Sequence, residues 1–149
     1  MSAKTEIINK SLHIDVYGHS GLKTAQDRDW GAAGFRIMGN MWDKIKTNNI
    51  KHKGKNIWVY EWNEKLFTGV ELENGSDNNG ILEKREVRLD KYAYYKHIGP
   101  YSLLKQAYDA MKAEIAQQGL KTAPPFLEIY GHWTNDESKL ETELTIAIE

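Results

Sequence analysis

The chain has 149 residues, 20 Lys and Arg against 21 Asp and Glu, a formal net charge of −1, and no cysteine. The length suits one domain with a real hydrophobic core. The charge balance excludes a general attraction to nucleic acid or anionic lipid, and the lack of thiols excludes disulfides and Cys-ligated metals. The opening "MSAKTEIINK" carries no apolar signal core, and no run approaches membrane-spanning length. A cytoplasmic protein with no membrane partner is therefore expected. Five Trp and eight Tyr are many for this size, and amphipathic aromatics in that number serve a core, a pocket or an interface.

Taken in chain order, "TEIINKSLHIDVY" (5–17) reads as a strand, followed by a Gly- and Asp-rich loop. A helix is expected over about 31–47, where Phe35, Met38, Trp42 and Ile45 recur at helical spacing. "NIWVYEW" (56–62) and "KLFTGVEL" (65–72) read as strands. "ENGSDNNG" begins a turn-rich connection, and residues 74–86 are expected to link two halves, 1–73 and 87–149. "VRLDKYAYYKHIG" (87–99) reads as a strand and "PYSLLKQAYDAMKAEIAQQG" (100–119) as a helix. Pro100 is placed to start that helix and Gly119 to end it, with Leu104, Ala107, Tyr108, Met111 and Ile115 as its apolar stripe. "FLEIYGHW" (126–133), entered through two prolines, and "ETELTIAIE" (141–149) read as closing strands.

The order is β-α-β-β, twice. "VYGH" against "YYKH", and "IWVYEW" against "FLEIYGHW", support a duplication, though element order carries more of the argument than identity does. The expected fold is α+β: two β-α-β-β units with antiparallel sheets, one helix each, and a ligand cleft between the repeats. Both helices are expected on one side, with strands 56–62 and 126–133 in equivalent positions. Strand alternation puts Trp58, Tyr60 and Trp62 on one face and Ile57 and Val59 on the other. It likewise groups Phe126, Glu128 and Tyr130 against Leu127 and Ile129. Small aliphatics suit packing under a helix, so the aromatics and Glu128 are expected to point away from the helices. In the last strand the same reasoning puts Leu144, Ile146 and Ile148 in the core and turns Glu141, Glu143, Thr145 and Ala147 to the cleft.

A carboxylate between aromatic rings is costly unless protonated or paired. Rings beside an acid attract a diffuse organic cation, by about 2 kcal/mol when both are out of water. The bland reading of Glu128 is a half-exposed residue on a solvent-facing sheet, and that of Trp42 and Tyr108 is core.

The stretches "KYAYYKHIGPYSLLKQAYDAMKAEIAQQGL", "PPFLEIYGHW" and "TELTIAI" together resemble the GyrI-like effector-binding domain found in multidrug-responsive transcription activators and in stand-alone proteins, integron-associated ones among them. The resemblance is strongest over 91–149. It implies a duplicated fold with a cleft that binds small amphipathic cationic ligands through buried acids and stacked rings. It carries the ligand-contacting acids onto Glu128 and Glu143. The family often has Tyr two positions after the second acid, where this chain has Thr145. With the residues above, the expected ligand-binding set is Phe126, Glu128, Tyr130, Glu143, Thr145, Trp58, Tyr60 and Trp62. The resemblance implies drug sequestration or regulation rather than catalysis. It leaves open a hydrolase in which Glu128 or Glu143 activates water, and a gyrase-inhibitor-like module with a protein partner. The first strand begins near residue 5, which leaves no room for a helix-turn-helix, so no direct nucleic-acid contact is expected. No cofactor is implied. Five His lack close metal-ligand spacing, and "GAAGF" (31–35) lacks the Lys and Ser/Thr of a phosphate loop, so no metal is expected either.

Overall fold

The computed structural model describes residues 5–78, 80–132 and 134–149. Its strands are β1 (Glu6–Ile8), β2 (Leu12–Leu22), β3 (Ile57–Tyr60), β4 (Lys65–Val70), β5 (Glu83–Leu89), β6 (Tyr92–Ile98), β7 (Thr122–Tyr130) and β8 (Glu141–Ile148). Its helices are α1 (Trp30–Thr47) and α2 (Leu104–Gln117). Asp29 caps α1 by accepting a hydrogen bond from the Ala32 N–H at 2.8 Å, and Lys44 and Lys46 sit in its last turn, where they oppose the helix dipole. A short 3₁₀ turn over Tyr101–Leu103 leads from Pro100 into α2. Gly119, at φ +72°, ends that helix in the left-handed conformation that favours glycine.

All the strands form one antiparallel sheet in the order β1-β6-β8-β7-β3-β4-β2-β5. The order reads the same from both ends if β1, β2, β3 and β4 are exchanged for β5, β6, β7 and β8. This is the duplication, with β3 and β7 in equivalent places and paired at the seam. The repeats are thus joined edge to edge in one sheet and not as two separate ones. They also exchange their outer strands. β1, which precedes the first repeat, pairs with β6, and β5, which precedes the second, pairs with β2.

Several boundaries differ from the sequence expectation. The strand read at 5–17 is two strands, because polar Asn9, Lys10 and Ser11 break it and its parts pair at opposite ends of the sheet. The segment read as a linker, 74–86, runs into β5. There the charged residues lower β propensity, but Val87 and Leu89 alternate inward. Pro124 and Pro125 fall in a register shift between Ala123 and Phe126, where a missing N–H costs no ladder bond. The strand expected over 126–133 ends at Tyr130, and Trp133 lies outside the described residues, as do Met1–Lys4 of the opening segment.

Both helices cover the same sheet face. Met41 and Ile45 of α1 pack on Tyr17 and Val70, and Met111 and Ile115 of α2 pack on Ala93, Leu144 and Ile146. The opposite face needs no helix. Val16, Ile57, Val59, Phe67, Val87 and Leu127 pack with one another there, because the sheet curls and closes that face on itself. No helix among the described residues is long and apolar enough to cross a membrane.

Candidate functional site

The curl reverses one expectation. Since Ile57, Val59 and Leu127 fill the helix-free face, Trp58, Tyr60 and Glu128 point toward the helices. They form the floor of a cavity of about 1210 Å³ that lies over the β3–β7 seam, between α1 and α2. Phe126 and Tyr130 of β7 complete the floor. The walls are Trp30, Phe35 and Met38 on the α1 side, and Tyr101, Leu104 and Tyr108 on the α2 side.

Glu128 stands at the centre, buried at 4 % exposure. Its Oε1 accepts hydrogen bonds from the Tyr60 hydroxyl at 2.9 Å and from the Tyr130 hydroxyl. Its Oε2 accepts one from the Tyr108 hydroxyl at 2.8 Å. No Lys, Arg or His among the described residues forms an ion pair with it. Burial raises its pKa above the usual 4.5, and the hydrogen bonds from Tyr130, Tyr108 and Tyr60 oppose that rise. Burial pushes the three phenols up as well, with the Glu128 charge adding to the effect, so they remain donors.

The rings brace one another edge to face. Trp58 meets Tyr130 at 5.1 Å and Phe35 at 5.8 Å, Trp30 meets Tyr60 at 5.5 Å, and Tyr101 meets Tyr130 at 5.4 Å between centroids. Tyr108 stacks on Phe126 at 6.4 Å. Phe35 is 63 % exposed, which leaves a large apolar ring at the mouth.

Of the residues singled out from sequence, the structure brings together Trp58, Tyr60, Phe126, Glu128 and Tyr130. It places three elsewhere. Glu143 stands opposite Ile129 and Thr145 opposite Leu127 in the β7–β8 register, so both lie on the helix-free face. There Glu143 accepts a hydrogen bond from the Tyr94 hydroxyl at 2.6 Å, and Thr145 is buried. Glu141 and Ala147, on the same face by alternation, are not in the cavity either, while Leu144 and Ile146 face α2. Trp62 falls in the turn after β3 and is 67 % exposed.

The helix stripes also divide. α1 buries Ala33, Ile37, Met41 and Ile45, and turns Phe35 and Met38 to the cavity. Trp42, read as core, is half-buried and donates its indole N–H to Asn56 Oδ1 at 2.9 Å. Tyr108, also read as core, is a direct partner of the acid. The signal that could have found Tyr108 is its hydroxyl: a tyrosine on an apolar stripe needs a polar partner when buried.

Among the described residues, one group has metal-ligand chemistry: His13, Asp15 and Glu86, on β2 and β5 and outside the cavity. Lys84 lies 3.9 Å from Asp15 and 3.7 Å from Glu86, and so competes for both carboxylates.

Comparison with known proteins adds three findings. The sequence profile described as "GyrI-like small molecule binding domain" matches residues 33–149. No functionally curated protein matches the chain by sequence. Among solved structures, the EcmrR C-terminal domain superposes with a TM-score of 0.79 at 14% identity, covering 100% of this chain and 99% of that one. Within the EcmrR chain of an EcmrR–DNA complex, this chain spans 58% of the length, with a TM-score of 0.75 at 14% identity. SAV2435 bound to tetraphenylphosphonium gives a TM-score of 0.58 at 18% identity over 100% of this chain and 94% of that one. A structure described as a hydrolase from Listeria innocua gives 0.58 at 12% identity, over 98% and 92%. At such identities the likeness is one of fold.

Proposed function

The chain belongs to the GyrI-like small-molecule-binding domain family, and from that premise we propose that its cavity binds amphipathic organic cations, with Glu128 reading the charge and the rings holding the apolar body. The observation that carries this reading is a buried carboxylate with no cationic partner among the described residues, set among aromatic faces in a cavity of about 1210 Å³. Such a group is unsatisfied in charge although satisfied in hydrogen bonds. A diffuse cation supplies the missing charge and loses little hydration on entry. The tyrosines hold the carboxylate in place, so no ordering cost falls due on binding. The tetraphenylphosphonium bound to SAV2435 is a ligand of the same kind on the same fold.

Hydrolysis fits less well. A general base needs an oxygen directed at water, whereas both oxygens of Glu128 already accept phenolic hydrogen bonds, and a raised pKa does not by itself turn either toward a water. A protein-docking face fits less well too, because the aromatics converge into a cavity.

The test is calorimetry with tetraphenylphosphonium and the neutral triphenylphosphine oxide, on wild type and Glu128→Gln. Loss of a desolvated charge-assisted contact predicts about 10–100-fold weaker phosphonium binding and a small change for the oxide. Equal loss for both ligands, or no phosphonium binding by wild type, overturns the reading.

A further inference from the structure

The cavity has a buried acid on its floor and two lysines with one aspartate on the α2 side of its mouth. The floor holds Glu128, at 4 % exposure. The α2 side of the mouth holds Lys105, Asp109 and Lys112, exposed and spaced four and three residues apart on one side of the helix. Tyr108, on the same helix, donates to Glu128 Oε2 at 2.8 Å, so α2 carries both this row of charges and a direct partner of the buried acid.

The remaining acids at the cavity already have partners. Asp29 lies 3.5 Å from Arg28, and Glu61 lies 3.1 Å from Arg85. The two lysines do not: among the described residues no carboxylate comes within ion-pair distance of Lys105 or Lys112. A surface lysine ordinarily extends its ammonium into water. Lys112 instead carries its Nζ over the Phe126 ring, 5.4 Å from the centroid, and the same ring stacks with Tyr108. One aromatic face of the cavity therefore already holds a cation. A ligand with positive charge alone meets two unpaired ammonium groups against a single carboxylate, Asp109, on its way to Glu128. A ligand with charges of both signs meets a complementary group at each end.

We propose that the cavity is matched to a dipolar amphipathic ligand: an aromatic cation seated over Glu128, tethered to a carboxylate that Lys105 and Lys112 hold at the α2 side of the mouth. This rests on the cation reading above and narrows it from cations in general to zwitterions. Lys112 then exchanges its place over Phe126 for an ion pair with the ligand. The ligand's own cation takes the vacated aromatic environment, now without a like charge beside it.

The probes are (4-carboxybutyl)triphenylphosphonium and its methyl ester, which share cation and shape and differ in the anionic charge. Calorimetry at pH 7.5 and low salt, with wild type, should show the acid binding about fivefold more tightly than the ester. In the Lys105→Ala/Lys112→Ala double variant the preference should vanish, and the ester should bind more tightly than it does to wild type. Both side chains are exposed, and an unchanged melting temperature would show that the fold is kept. Equal or weaker binding of the acid by wild type, or a preference that survives in the double variant, overturns the dipolar proposal while ester binding leaves the cation reading standing. Failure of acid, ester and tetraphenylphosphonium alike overturns both.

Discussion

Trp58 and Glu128 stand directly opposite each other across β3 and β7, at the seam where the two repeats join. One repeat supplies the ring and the other the acid, so the site exists only because the duplication closes edge to edge. The indole reaches its place because α1 has no side chain at Gly34. A Cβ there would lie 2.2 Å from Trp58 Cη2 and Cζ3.

That contact gives a prediction with a diagnostic sign. In an open helix position Gly→Ala stabilises by about 1 kcal/mol. Here the added methyl would overlap a buried ring in a packed site, which costs about 1–3 kcal/mol before relaxation. Gly34→Ala should therefore lower the melting temperature. It should also weaken tetraphenylphosphonium binding at least about tenfold, roughly 1.4 kcal/mol, as the indole is driven into the cavity. Chemical denaturation and indole fluorescence check it, and a stabilised variant with unchanged binding would refute it.

The β-α-β-β order of each repeat was legible in the sequence because periodicity changes sharply between strands and helices, whereas β1 and β5, the exchanged outer strands, were not. The pairing of Glu128 with Phe126 and Tyr130 was legible because a strand alternates. Which face the helices cover was not. Alternation separates Ile57 and Val59 from Trp58 and Tyr60 but does not say which set meets a helix, and the curl that buries the aliphatics depends on the whole sheet. Register was hidden for the same reason. Glu143 and Glu128 each sit among alternating apolar residues, yet pairing sets Glu143 opposite Ile129 and so on the other face. Tyr108 was hidden by its own stripe, since α2 both buries Met111 in the core and lends Tyr108 to the acid. β5 was obscured by its charges: Glu83, Lys84, Glu86 and Arg88 face solvent on an edge strand, while Arg85 turns inward over the Phe67 ring and pairs with Glu61.

The corrected placements predict two null results. Glu143→Gln alters a contact to Tyr94 on the helix-free face, and Trp62→Ala removes a ring that is 67 % exposed. Both variants should bind tetraphenylphosphonium within about twofold of wild type, and Trp62→Ala should change stability by no more than about 0.5 kcal/mol. A tenfold loss in either would put that residue back in the site.

The last prediction follows from the raised pKa of Glu128, and two linked measurements read it. Burial raises the acid above its usual 4.5 in the folded, empty protein. The folded state then holds a proton that the unfolded state has released over the interval between those two values. Stability falls with pH wherever the folded state binds more protons, so wild type should lose stability relative to Glu128→Gln as pH rises through that interval, and the difference should level off above it. A bound permanent cation favours the ionised acid and pulls its pKa back down. Binding must then expel a proton over the same interval, and affinity for tetraphenylphosphonium should weaken as pH falls through the raised pKa and flatten above it. Glu143 lies on the other face, so the proton comes from Glu128 without a second cavity-floor acid to couple with it, and the profile should follow one ionisation. Calorimetry between about pH 5 and 8, in buffers of different ionisation enthalpy, reads both the affinity and the proton count. Glu128→Gln should abolish both dependences. A proton release that persists in that variant would assign the titration to another group, and a flat wild-type profile would mean that the tyrosines outweigh burial and keep the acid ionised throughout.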